Sequence, residues 1–198
     1  HLPLDVLIDK SLLVWGDKLK RPAAEVKVDI LAFLQSRFAN QLTSQGRPYD
    51  VVDSVLSIDA TDLVKSTKKI AALETLKADA DFEPLASAFK RVGNIIKDFQ
   101  GGWVDPGLFD SAAEQNLYNV YLEIKEKVAL FIGSGDYLSA LREIARLRQP
   151  VDNFFDTVLV MAEDEKIRFN RLSLLAAISS IFRQIADFSR IVTPGNSV

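Results

Sequence analysis

Residues 82–99 read FEPLASAFKRVGNIIKDF. Phe82, Leu85, Phe89, Val92 and Ile96 recur at steps of three, four, three and four, which places them on one face of a helix turning 100° per residue. On another face Lys90, Asn94 and Lys97 fall at i, i+4 and i+7, with Arg91 beside them. A basic stripe backed by an apolar one is the pattern of a helix that packs on a core and shows its charge to solvent. The strongest loop signal of the chain follows at once: Gly101, Gly102, Trp103, Val104, Asp105, Pro106 and Gly107.

Working outward, the same period recurs and strand-like alternation is nowhere sustained. A first amphipathic segment spans 4–18, and the basic break Lys18, Lys20, Arg21, Pro22 leads into a helix over 23–44 with Val26, Ile30, Phe33, Leu34 and Phe38 on one stripe. Gly46 stops it, and a short helix opens at 47–50 and carries Val51, Val52, Val55 and Leu56. Further helices are expected over 59–77, 82–99, 111–132, 136–148 and 151–160, with Pro150 as a stop, and a long terminal helix over 164–191 precedes a frayed tail at 193–198. The expected fold is all-α, a helical bundle of about eight or nine helices. An N-terminal helix and basic linker (1–22) would precede a helical domain (23–198), with the loop at 100–110 the one plausible lobe boundary.

Composition removes several kinds of chemistry. With no cysteine there are no disulfides or thiolate metal sites, and the one histidine, His1, reads as an exposed residue at the chain start, a remnant of a tag. The glycine pairs follow no strand, so they read as helix breakers rather than phosphate cradles. Glu163, Asp164 and Glu165 are neighbours on a helix start and point in different directions, which suits capping better than metal binding. The expected catalytic and metal sites are none. No apolar run is long enough to cross a bilayer, so a soluble, intracellular chain is expected, and a start without Met suggests a piece of something larger. At a net charge of −3, any nucleic-acid binding needs positive charge gathered on one face.

Near the C-terminus, LRQPVDNFFD at 147–156 is followed by Val158, Val160, Met161, Glu163, Asp164, Arg168, Asn170, Arg171, Leu172, Leu174 and Leu175. This run resembles the C-terminal signature of the bacterial or organellar glycyl-tRNA synthetase β subunit, and Ala186, Asp187, Phe188 and Ser189 are similar to that family's chain ending. The segments 49–56 and 90–95, with Phe33 and Arg37, are similar to further family segments in the same order. The sequence departs from the pattern in the 101–107 loop and the short tail.

The resemblance implies a DALR-like anticodon-binding domain, a fold shared with arginyl-tRNA synthetase. It implies tRNA(Gly) and a catalytic α subunit or fused α portion as partners, with no DNA and no membrane. It also implies no cofactor in this chain, ATP and Mg belonging to the full enzyme, and a bacterial cytoplasm, chloroplast or mitochondrion as location. The chain would supply tRNA affinity and identity to aminoacylation catalysed elsewhere; the alternative is a helical subunit-assembly module without direct RNA contact.

The candidate RNA contacts are Arg37, Tyr49, Lys90, Arg91, Asn94, Lys97 and Arg168. The 90–97 stripe is either an RNA face or simply a solvated one. Tyr49 either stacks on an unpaired base or staples a helix start, and Lys18, Lys20, Arg21 and Lys27 either hold phosphates or form an exposed linker. Arg168 lies at a stripe edge and suits contact or structure. Arg171 falls among Leu175, Ile178, Phe182 and Ile185, so it needs a buried partner, for which Asp152 or Asp156 is expected. Phe154, Phe155 and Met161 read as core.

Overall fold

The computed structural model describes residues 3–192, so His1 and the tail at 193–198 lie outside the described residues. Among the described residues there are nine α-helices and no strand. They are α1 (Leu4–Trp15), α2 (Ala23–Ser44), α3 (Tyr49–Leu56), α4 (Leu63–Lys77), α5 (Phe82–Ile95), α6 (Ala112–Ser134), α7 (Tyr137–Ala145), α8 (Arg148–Thr157) and α9 (Glu165–Phe182). Local chemistry sets most starts. Side chains of Asp62, Asp136 and Asp164 accept from backbone amides of the first turns of α4, α7 and α9, satisfying donors that no helical carbonyl reaches. Ser111 and Glu114 form a reciprocal capping box on α6, which ends at Gly135 in the left-handed conformation.

One hydrophobic core runs from Leu42 to Ile191 and does not divide at the 100–110 loop. α6 and α7 pack as a hairpin, α4 covers α7, and α5 lies against α8 and α9. α1 and α2 pack on each other, and α2 reaches the body through α3 and Leu42, its one buried residue. Phe33 is not part of a buried stripe: it is 58% exposed, because α2 meets its neighbours along Val26, Ile30, Leu34, Phe38 and Leu42, a line that Phe33 flanks.

Three expected helices end differently. α5 stops at Ile95, where tight turns (Ile96 N–H to Val92 O, 3.2 Å; Phe99 N–H to Ile96 O, 2.9 Å) bend the chain so that Phe99 meets Phe169 edge-on at 5.3 Å. Pro150 is not a stop: α7 already ends at Ala145, and the proline sits in the first turn of α8, where its missing N–H is not needed. α8 ends at Thr157, and the extended stretch that follows buries Val158 and Val160 while turning Leu159 and Met161 outward. Met161 is therefore 62% exposed and not core.

The expected single helix to residue 191 is broken after Phe182. There the chain turns (Ile185 N–H to Phe182 O, 3.0 Å), and Asp187 N–H donates to Ser54 O at 2.8 Å. The turn swings Phe188 inward, 5.4 Å edge-on to Phe89 and 5.7 Å edge-on to Phe182, while Phe89 and Phe182 stack at 4.4 Å. Three aromatic rings thus seal the end of the chain against α5. Phe89→Ala is expected to destabilise the fold by about 3–5 kcal/mol in denaturant titration. Val28→Ser on the exposed side of α2 is expected to change stability by no more than about 0.5 kcal/mol.

Candidate nucleic-acid interface

The recognisable C-terminal residues face inward. Arg171 is 6% exposed and donates from Nε to Glu114 Oε1 (2.9 Å), from Nη2 to Asp110 Oδ1 (2.5 Å) and Glu114 Oε2 (3.3 Å), and from Nη1 to Leu159 O (3.0 Å). Glu114 is fully buried and also accepts from the backbone N–H of Asp110 and Ser111. The expected partners are corrected: Asp152 sits 3.6 Å from Arg148, one turn back on its own helix, and Asp156 is exposed. The helix nearest in sequence is not the main neighbour in space, because α9 packs along α5, α6 and α7.

Beside Arg171, the Asn170 side chain clamps the backbone of Asp105, accepting from its N–H (2.7 Å) and donating to its carbonyl (2.9 Å). Arg168 Nη1 donates to Ala162 O at 2.9 Å, and Nη2 lies 3.6 Å from Glu165. Arg168, Asn170 and Arg171 therefore fasten two loops onto α9. Hydrogen bonding to Glu114 is the main influence raising the Arg171 pKa above its ordinary value. Asp110 is held below the usual carboxylate range by hydrogen bonding with the Glu114 side chain and then by the Arg171 charge.

The other candidates divide by what they touch. Arg91 lies over the half-buried Phe155 ring at 4.1 Å, so this part of the basic stripe is already used inside the fold. Arg37 is exposed and sits 5.2 Å over Phe33 on its own helix, and Tyr49, at the start of α3, is 72% exposed. Arg21 pairs with Asp29 and Glu25, and Lys27 with Asp9, which neutralises half of the N-terminal basic cluster; Lys18 and Lys20 remain exposed.

Lys90 is half-buried, and Asn94 and Lys97 are exposed, though Lys97 belongs to the turn beyond α5 rather than to its helical stripe. Asn94 and Lys97 line a groove of about 760 Å³ between the C-terminal ends of α5 and α9. Phe89, Phe99 and Phe182 supply its aromatic lining, and Gln100, Arg183, Asp187 and serine side chains its further polar groups. That volume falls within the roughly 300–1,000 Å³ of small-molecule sites. Arg183 and the neighbouring Trp103 were not among the sequence candidates. No periodic signal marks them, since Arg183 follows the last residue of α9 and Trp103 lies in a loop. Among the described residues no cluster of acidic, histidine or cysteine side chains suits a metal ion, and no helix is long and apolar enough to cross a membrane.

A family model described as the DALR anticodon binding domain matches residues 85–194, from α5 through the groove to the C-terminal turn. The chain belongs to the DALR anticodon-binding family. The chain is 53% identical over 192 residues to a protein of Syntrophus aciditrophicus (strain SB) named glycine-tRNA ligase beta subunit, covering 97% of the chain and 28% of that protein. Proteins of the same name from Syntrophotalea carbinolica and Geobacter metallireducens are 44% and 47% identical, each over 96% of the chain and 28% of the relative. The chain thus spans little more than a quarter of the length of these relatives.

Arg171→Ala is expected to destabilise the domain by about 3–5 kcal/mol, because it leaves Glu114 buried and unpaired. Asp152→Asn and Asp156→Asn are expected to leave the melting temperature nearly unchanged. A carboxylate whose pKa is lowered on folding stabilises above its unfolded value and ceases to do so as pH falls through the folded one. The stability difference between wild type and Asp110→Asn should therefore shrink to nothing as denaturation is followed below the ordinary carboxylate range.

Proposed function

We propose that this chain binds tRNA(Gly) through the anticodon region. It would supply affinity and identity to an ATP- and Mg-dependent aminoacylation carried out by a catalytic α subunit or fused α portion of the same enzyme, in a bacterial cytoplasm or an organelle. The observation that carries the reading is the groove within the anticodon-binding match. There Lys97 and Arg183 stand without ion-pair partners among the described residues, beside the amide of Asn94. Unpaired cations suit phosphates, and amide and aromatic groups suit the edges and faces of unstacked bases. Lys90, one turn before Asn94, extends the basic face, and Tyr49 and Arg37 offer an exposed ring and an exposed guanidinium outside it. Arg91 and Arg168 are better explained by their contacts to Phe155 and Ala162, so the RNA role rests on the others.

A second reading, docking onto the rest of an enzyme, is favoured by one feature: Leu13, Val14, Trp15 and Val28 are exposed together on the α1–α2 hairpin. Single exposed apolar residues are ordinary, whereas a group of them marks a contact face. The two readings are compatible, since hairpin and groove use different helices.

Salt separates phosphate binding from apolar docking. Titration with tRNA(Gly) at two salt concentrations is expected to show affinity falling steeply with salt, and an anticodon-swapped tRNA should bind more weakly. Lys90→Ala with Lys97→Ala should reduce the slope of log affinity against log salt by about one for each phosphate no longer neutralised, with little change in melting temperature. Equal affinity for the swapped tRNA would overturn anticodon reading, and absence of binding at low salt would overturn the RNA role.

A further inference from the structure

Trp103 is 86% exposed, yet the chain on either side of it is fastened. Upstream, Phe99 meets Phe169 edge-on at 5.3 Å. Gly102 approaches α9 so closely that a Cβ there would lie 2.6 Å from the Phe169 ring and from Ser173 Oγ. Downstream, Val104 is buried, and Asn170 holds both the N–H and the carbonyl of Asp105. Asp105 Oδ1 in turn accepts from Gly107 N–H at 2.9 Å. A loop with so many anchors has the means to bury an indole and instead holds it in water. The backbone that carries the ring is thus fixed before it meets a ligand, so little backbone freedom remains to be given up on binding.

The surroundings specify the ligand. Gly101 and Gly102, just before Trp103, line the groove that Asn94, Lys97 and Arg183 share, and Lys166 lies on the other side, in the hollow that Trp103 forms with Phe169. Lys97, Arg183 and Lys166 have no ion-pair partner among the described residues. Of the acidic groups close by, Asp187 lines the groove but accepts from Ser189 N–H and Oγ and lies 3.7 Å from Arg190, Asp105 caps Gly107, and Asp98, next to Lys97, is exposed. Glu165, in the same hollow as Lys166, lies 3.6 Å from Arg168. An exposed ring beside Lys166, on a loop whose glycines line a groove carrying Lys97, Arg183 and amide side chains, matches a single-stranded nucleic acid that runs along both, its bases stacking on aromatics while its phosphates meet Lys and Arg.

We propose that the loop at 99–105 is a nucleobase platform. Trp103 stacks on an unpaired base of the bound tRNA beside Lys166, Lys97 and Arg183 hold phosphates farther along the strand at the rim of the groove, and Asn94 and Gln100 face base edges there. The proposal rests on the tRNA-binding reading above and assigns it a surface that the recognisable motif does not contain.

The chain has two tryptophans, so a Trp15→Phe background makes Trp103 the sole indole reporter. Titration of that protein with a tRNA(Gly) transcript, followed by fluorescence and in parallel by gel mobility, is expected to quench the indole as the complex forms. Trp103→Ala should weaken binding roughly 5- to 100-fold, the range expected for removing one base stack. Trp103→Phe should restore most of the affinity, and neither variant should move the melting temperature. Lys97→Ala with Arg183→Ala should lower the salt slope by about two while quenching persists, and an unchanged slope would remove the phosphate assignment. Salt-dependent tRNA binding with an unquenched indole and a fully active Trp103→Ala variant would overturn the platform while leaving tRNA recognition intact. No binding of the transcript by the parent protein at low salt would overturn both.

Discussion

A guanidinium buried beside the first turn of α6 organises this molecule. Removing Arg171 and Glu114 from water is tolerable only if nearly every donor and lone pair finds a partner, and here the partners come from three places: the start of α6, the carbonyl of Leu159 after α8, and α9 itself. Glu114 serves the ion pair and the capping box together. The point where α6 begins is thereby registered against α9, and the loop before it cannot move without exposing or orphaning a charge. Asn170, one residue earlier, extends the same constraint to Asp105.

The aromatic cluster of Phe89, Phe182 and Phe188 provides the second fastening, at the other end of α9. Around it, the last turn is tied back to α3 by an ion pair from Arg190 to Asp53 at 2.9 Å and by Val192 N–H donating to Asp50, which also pairs with Lys77 of α4. Between the two fastenings α9 is held along its whole length. The groove lies where α5 and α9 both end, and the exposed indole stands toward the start of α9, beside Lys166 and Phe169.

Family likeness and the proposed recognition surface consequently fall on different residues of this chain. Arg168, Asn170 and Arg171, which carry much of the resemblance to the β-subunit signature, are engaged with the protein's own carboxylates and carbonyls. Groups free to meet a ligand, such as Lys97, Arg183 and Trp103, belong to turns and loops. This division has a physical basis. A buried ion pair tolerates almost no substitution without loss of stability, whereas exposed groups on a fixed scaffold change at little energetic cost.

Local physics was legible in the sequence. The 3.6-residue period located the helices, α2 over the residues expected of it, and Ser111, Asp136 and Asp164 marked where three of them start, because a cap acts within a few bonds of the amides it satisfies; α4 starts at Leu63, after the expected residue 59. The charge at position 171, placed in an apolar stripe, announced that a buried partner was required. Which partner was a matter for the tertiary structure alone: Glu114 is 57 residues away in sequence, and no local period connects the two. The same holds for the early end of α5, the inward turn of Phe188, the outward faces of Phe33 and Met161, and the held exposure of Trp103. Each depends on which helices lie side by side, and that is decided by packing between segments distant in the chain.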